Sequence, residues 1–335
     1  MKRTLLIAAL LLAAASLVFA GGKAEGEAAG KTYTAAFGCV HSPETPNVKG
    51  MEWFAEKMGE RTDGKVVINV FPGGSLGGNK EHLEGPGLGT MEMADVGSGI
   101  VSTYAAEYGI IDMPFIYRDK AHFRKVMDGP IGEATKKSIE ESANINVVSY
   151  YARGPRHLFT KNRVVTEPGD LNGLKLRLPP IDVWHKAWTS LGAVPINVSW
   201  PEVYTALQTG VADAVEQDVA PFLSQALHEV TNHVMLTDHQ GHVEFWIVNR
   251  PWFNSLPAEY QEIFMDTAAE AMDYVQKLVD ESSEAMLLSL KEEHGMQVHE
   301  VNREAFVEAL HHVATEVWEP FWPEGLYEQI SSAGR

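Results

Sequence analysis

Apolar positions along the chain switch between two periods. Residues 31–39 alternate weakly and 66–71 are apolar apart from Asn69, and both patterns predict strands. Between them Met51, Trp53, Phe54 and Met58 recur at helical spacing and predict a helix over 47–59. After a glycine-rich turn at 72–78, the pattern predicts a short helix over 79–85 and an apolar segment at 93–96. Helices over 119–128 and 131–143 follow, then a strand over 145–151. The next stretch predicts a strand at 174–178, helices over 182–191 and 201–209, and a strand at 211–215. Strands at 234–236 and 243–248 come last, the second expected to return to the first domain. Strands alternating with helices this regularly predict an α/β protein, each sheet flanked by helices on both faces.

The tail has another rhythm. Residues 257–293 lack interior Gly or Pro, and Ile263, Phe264, Ala268, Ala271, Met272, Val275, Leu278 and Val279 keep to one stripe. At ~1.5 Å per residue such a helix runs about 55 Å, more than the width of one small domain. It can bridge two lobes; a coiled-coil partner face is the other reading. A last helix is expected over 303–318, ending against Pro320. With a change of character at Arg153-Gly154-Pro155, the expected division is lobe I at 31–153 plus about 243–275, and lobe II at 154–242 plus about 276–335.

Composition fixes the address and excludes some partners. Lys2 and Arg3 precede an unbroken apolar run at 5–15, and Val18-Phe19-Ala20 supplies small residues for cleavage, so 1–20 reads as a secretory signal peptide and 21–30 as a disordered leader. No later stretch is long enough for a membrane span, so no direct membrane insertion is expected after cleavage. The formal charge is −18. So acidic a surface repels nucleic acid and anionic membranes, and any anion site must be a local basic pocket. Cys39 is the single cysteine, so stability rests on core packing and not on an intrachain disulfide.

Arg177 closes the short run at 174–178. A strand is a stiff mount, and a guanidinium at its end can grip a carboxylate with two parallel hydrogen bonds. An ordinary Arg–Asp pair at a strand end fits the spacing equally well. Gly73-Gly74-Ser75-Leu76-Gly77 matches the G-x-S-x-G elbow of serine hydrolases, between a strand and a helix as that motif requires. A secreted serine hydrolase is therefore the alternative function. Pro72 and four glycines argue for a plain turn instead, and no His-Gly-Gly segment precedes it. The phosphate-loop-like Gly59-Glu60-Arg61-Thr62-Asp63-Gly64-Lys65 has Val66 where Ser or Thr is needed and stands in the wrong order, helix before strand. Gly85 to Gly89 is too short for a dinucleotide fingerprint. His239 with His242, and His311 with His312, are the nearest approach to metal spacing, and neither forms a known ligand set, so no metal or cofactor is expected. Met91, Met93, Trp184 and Trp188 read as core.

Taken together, Arg156, the Leu171-to-Arg177 run and Glu202-Val-Tyr-Thr-Ala-Leu-Gln-Thr-Gly-Val-Ala-Asp-Ala-Val-Glu216 resemble the substrate-binding subunits of TRAP (tripartite ATP-independent periplasmic) transporters. Phe71-Pro72 with Leu76-Gly77-Gly78, Tyr108-Gly-Ile-Ile-Asp-Met-Pro-Phe115 and Trp252-Phe-Asn-Ser-Leu-Pro257 fit the same pattern, so the resemblance extends from Lys31 onward. It implies a two-lobed periplasmic-binding-protein-like fold with a long helix spanning both lobes. It also implies a non-enzymatic periplasmic receptor that closes on a small organic acid and delivers it to the membrane subunits of a TRAP carrier. In that family the arginine ending the G-L-K-x-R run pairs with the ligand carboxylate, which is Arg177 here. Arg156, Trp200 and His239 match further family positions. Position 217 is usually asparagine; here it is Gln217, followed by Asp218 where proline is common. The longer amide and the added acceptor favour a hydroxylated monocarboxylate, such as a sugar acid. From the first lobe, His41 and Asn79 are expected to reach across the cleft.

Overall fold

The structure, a computed structural model, describes residues 30–240, 243–318 and 322–334. The expected signal peptide, nearly all of the expected leader, and His242 lie outside the described residues. Residues up to Tyr33 form a unit apart from Thr34–Arg335. Within the first unit, Lys31 Nζ lies 4.6 Å over the Tyr33 ring.

In chain order the strands are β1 (Tyr33–Gly38), β2 (Val66–Phe71), β3 (Met93–Gly97), β4 (Ile145–Ala152), β5 (Arg156–Thr160), β6 (Lys175–Leu178), β7 (Val194–Asn197), β8 (Ala214–Asp218), β9 (His233–Met235), β10 (Val243–Asn249) and β11 (Gln297–His299). They form two sheets, one in the order β2-β1-β3-β10-β4 and one in the order β11-β9-β5-β8-β6-β7. Each is flanked by helices, and the two make a two-lobed mixed α/β molecule. The chain passes between sheets at Arg153-Gly154-Pro155 and comes back with β10, which runs antiparallel between β3 and β4. All seven residues of β10 are buried, Glu244 and Asn249 among them, and its apolar residues Phe245 to Val248 lie on both faces.

Three strands escape the hydrophobic pattern, and one is shifted. β5 begins with Arg156-His157 and β11 is only three residues long, so neither shows a period. β7 contains Pro195, which an edge strand tolerates because its N–H side need not pair. The strand expected at 211–215 lies instead at Ala214–Asp218. Val211 is 51% exposed, whereas Glu216, Gln217 and Asp218 are buried. Ion pairing hides those polar residues in the sheet, and apolar periodicity is blind to that. The helix expected over 303–318 runs from Arg303 to His312 and continues as a π-helical turn, Val313–Trp318; a further helix, Leu326–Ser332, follows.

The helix Ala258–Glu292 reaches both lobes. Near its start Phe264 meets Phe54 edge-on, with ring centroids 5.1 Å apart. Midway, Val275 crosses Gly50 so closely that a Cβ there would lie 2.0 Å from Val275 Cγ2, so only glycine fits. Near its end Leu290 packs with Phe159, Val215 and Phe222 of the six-stranded lobe. Among the described residues no helix is long and apolar enough to cross a membrane.

A buried carboxyl links the lobes away from the helix. Asp112 Oδ1 accepts from Gln240 Nε2 (2.6 Å), and its backbone carbonyl accepts from Trp184 Nε1 (2.9 Å). Burial outweighs these donors and pushes its pKa up to about 7. The folded state therefore holds this proton where the unfolded chain releases it, and the contribution to stability falls as pH rises from about 4 to 7. Asp112→Asn, which has no charge to bury, is expected to gain about 2 kcal/mol on the wild type between pH 5 and pH 8 in urea unfolding. An unchanged difference across that range would show that the carboxyl titrates normally.

Candidate functional site

Strand ends from both sheets meet at one cavity of about 300 Å³, at the small end of the range for small-molecule sites. β3 and β6 present their C-terminal ends there, and β10 the N-terminal end of an antiparallel strand. This is where α/β sheets expose side chains on rigid mounts and leave backbone groups for a ligand. Of the residues expected from the sequence, His41, Asn79, Arg156, Arg177, Trp200 and Gln217 line this cavity. Asp218 and His239 do not.

Arg177 is held on two sides. Its Nε donates to the Val198 carbonyl (2.9 Å), and its guanidinium carbon lies 5.5 Å over the Trp200 ring. Its two terminal amines make no hydrogen bond to the described residues, and no carboxylate there forms a salt bridge with it. Burial lowers its pKa to about 10, which still leaves it charged at neutral pH. The Arg–Asp pair that the spacing left open is thus not formed, and a buried cation stands at the cavity with its fork unused.

Arg156 has the opposite fate. Its Nε and NH2 grip Glu216 at 2.6 and 2.7 Å, NH1 donates to Gln217 Oε1 at 2.6 Å, and the group stacks 4.9 Å from the Trp184 ring. Burial alone would raise the Glu216 pKa, but Arg156 and His239 pull it down to about 2. His239 works from behind: its Nε2 lies 3.2 Å from Glu216 Oε2 while Nδ1 meets Thr237 Oγ1 at 2.8 Å. It orients the ion pair and is not among the residues that line the cavity. Trp184 is both core and cavity wall.

Asp218, also expected at the site, does not line the cavity either. Its carboxylate is already taken by Arg153, whose Nε donates to Oδ2 at 3.2 Å and whose NH2 bonds Oδ1. Arg153 also donates from NH1 to Glu244 Oε1 (2.6 Å) and from NH2 to Gln217 Oε1 (3.0 Å). One guanidinium thus ties β8 of one lobe to β10 of the other. Gln217 Oε1 accepts from Arg153, Arg156 and the Asp218 N–H, which leaves the amide's NH2 as its remaining polar group.

Sequence reasoning missed Arg153, Glu244, Asp95 and His82, all of them cavity-lining. Asp95 and Glu244 each interrupt an apolar strand with a carboxylate, and that was the available signal. Asp95 Oδ2 accepts from Tyr151 Oη (3.0 Å), and burial with the neighbouring Glu244 charge pushes its pKa up to about 7.

The other motifs resolve as structure. Ser75 is exposed on a turn where Gly73, Gly74 and Gly77 take positive φ, and no histidine among the described residues bonds its hydroxyl. Met91 and Met93 are buried in the core. His311 pairs with Tyr327 Oη at 2.9 Å. Among the described residues no three metal-ligating side chains are grouped.

Two lobes joined by crossing strands, with a buried cation at the cavity between them, define a ligand-capturing binding protein. The chain belongs to the bacterial extracellular solute-binding proteins, family 7, which it matches over residues 37–320; these are the solute receptors of TRAP transporters. A solute-binding protein of Verminephrobacter eiseniae is 32% identical over 283 residues, 84% of each chain. Among solved structures, a TRAP periplasmic solute-binding protein from Roseobacter denitrificans with bound L-galactonate superposes with a TM-score of 0.82 at 30% identity, covering 90% of this chain and 99% of that one. One from Sulfurospirillum deleyianum with bound succinate gives 0.85 at 27% identity, covering 91% and 100%.

Proposed function

We propose that this chain is a periplasmic receptor for a hydroxylated monocarboxylate of the sugar-acid class, which it hands to the membrane subunits of a TRAP carrier. The observation that carries this reading is the unused fork of Arg177. A carboxylate leaving water must recover its solvation from charge-assisted donors. Arg177 and the Gln217 NH2 group supply them. Arg153 and Arg156 are already neutralised by Asp218, Glu244 and Glu216, so Arg177 is the one buried cation at the cavity left for a ligand carboxylate, while Lys80 stands exposed at its edge. The L-galactonate complex of the Roseobacter protein supports the class, while the succinate complex shows that the same fold also takes a dicarboxylate. A ligand gripped from both lobes stabilises the closed form by its differential affinity for it, and that form is what a membrane partner can read.

The test is a thermal-shift panel of acids on the purified protein. Sugar acids are expected to raise the melting temperature more than succinate or malate. A response to succinate or malate alone would overturn the ligand class.

A further inference from the structure

The cavity wall on the side of the five-stranded lobe has its own chemistry. Asp95, His82 and His41 line it and are 2%, 1% and 6% exposed. Each leaves one polar atom without a partner among the described residues: Asp95 Oδ1, His82 Nε2 and His41 Nδ1.

Their hydrogen-bond partners fix what these atoms are. His82 Nδ1 lies 2.8 Å from the Gly78 carbonyl, which can only accept, so that nitrogen carries the hydrogen. Burial lowers the pKa of the ring and keeps it neutral, which makes Nε2 a bare lone pair. His41 Nε2 lies 3.2 Å from Glu244 Oε1, so in the neutral ring Nδ1 is likewise the acceptor. Asp95 spends Oδ2 on the Tyr151 hydroxyl and, when ionised, keeps Oδ1 as an acceptor. Across the cavity, Arg177 and the Gln217 amide offer donors. The buried part of the cavity is therefore polarised, with donors on one lobe and acceptors on the other; Asn79 and Lys80, exposed at its edge, are donors on the acceptor side.

We infer that this acceptor wall selects the ligand by its hydroxyl groups, with Asp95 the specificity-determining residue. The inference rests on the proposal that Arg177 holds the ligand carboxylate, and it assigns the opposite part of the same molecule. Buried acceptors are costly to leave unpaired, and hydroxyls satisfy them. A second carboxylate brings no donor and meets the charge of Glu244. A site built to bond hydroxyls rejects analogues lacking them far more strongly than an apolar pocket rejects an extra group.

The experiment is calorimetry with matched acids: L-galactonate against adipate and hexanoate, and D-erythronate against succinate and butyrate. In the wild type the better hydroxylated acid is expected to bind at least ~100-fold tighter than its matched analogues. Asp95→Asn, which replaces an acceptor oxygen with a donor NH2, is expected to weaken that acid at least ~10-fold and to leave or improve binding of the dicarboxylate, so that the ratio collapses. His82→Leu, on a different element, is expected to move the ratio the same way and serves if Asp95→Asn does not fold. Arg177→Ala is run in parallel. It should weaken all carboxylates alike, so a failure of the anchor is read separately from a failure of the wall. The inference is overturned if no hydroxylated acid binds, if adipate or succinate binds the wild type as tightly as its hydroxylated match, or if the variants leave the ratio unchanged.

Discussion

Arg177→Ala is expected to weaken ligand binding by about 2–5 kcal/mol, the range for removing one partner of a desolvated charge pair, or roughly 30- to several-thousandfold in Kd. The size follows from how little else can take over. Arg153 and Arg156 line the same cavity, but both are committed to buried carboxylates. Releasing either to the ligand would strand Asp218, Glu244 or Glu216. Arg177→Lys is expected to recover only part of the loss, because an ammonium lacks the planar fork and does not stack on Trp200 in the same way. The fold should tolerate both changes, since Arg177 makes one backbone hydrogen bond and one ring contact. Calorimetry with the strongest ligand of the panel measures the effect. Wild-type affinity in Arg177→Ala, with an unchanged melting temperature, would mean the anchor lies elsewhere.

Arg153→Ala is expected to act on the fold first, lowering stability by about 3–5 kcal/mol, the cost of leaving buried charges without their partner. Arg153 is 7% exposed and bonds Asp218 on β8 and Glu244 on β10, so its loss strands a carboxylate on each sheet. Burial would lower the Arg153 pKa, but the two carboxylates win and raise it, so the guanidinium is charged throughout the working range. The stranded carboxylates relieve their penalty by taking up protons, so the deficit is expected to be smaller at pH 5 than at pH 8. Urea unfolding of wild type and variant at both values checks it. A deficit below about 1 kcal/mol that does not vary with pH would place the pair among exposed, solvent-screened ion pairs.

Much of the frame was legible in the hydrophobic pattern. The long helix announces itself by 35 residues without interior Gly or Pro, and the return of β10 by four consecutive apolar residues, Phe245 to Val248, that fill both faces of the strand. Arg177 was legible only as one of two readings, and the fold removes the internal Arg–Asp pair among the described residues. β5 and the end of β8 were not legible, because their charges are hidden by pairing with each other: Arg156 lies opposite Asp218 in the register and bonds Glu216. The expected strand fell three residues early, at 211–215, because Glu216, Gln217 and Asp218 carry no apolar signal. The acceptor wall was out of reach for a different reason. His41, His82, Asp95 and Glu244 come from four separate segments, and only the order β1-β3-β10 makes neighbours of them. Arg153 was noticed as a crossing point between domains, and its role as the clamp across that crossing appears only when both sheets are in place.

The most direct measurement is a crystal structure of the protein purified without refolding, so that a ligand carried from the cell stays in the cleft. The account predicts a carboxylate seated on the NH1 and NH2 atoms of Arg177, with ligand hydroxyls directed at Asp95 and His82. A closed cleft holding a neutral compound or a metal ion, with Arg177 turned into an internal ion pair, would contradict it.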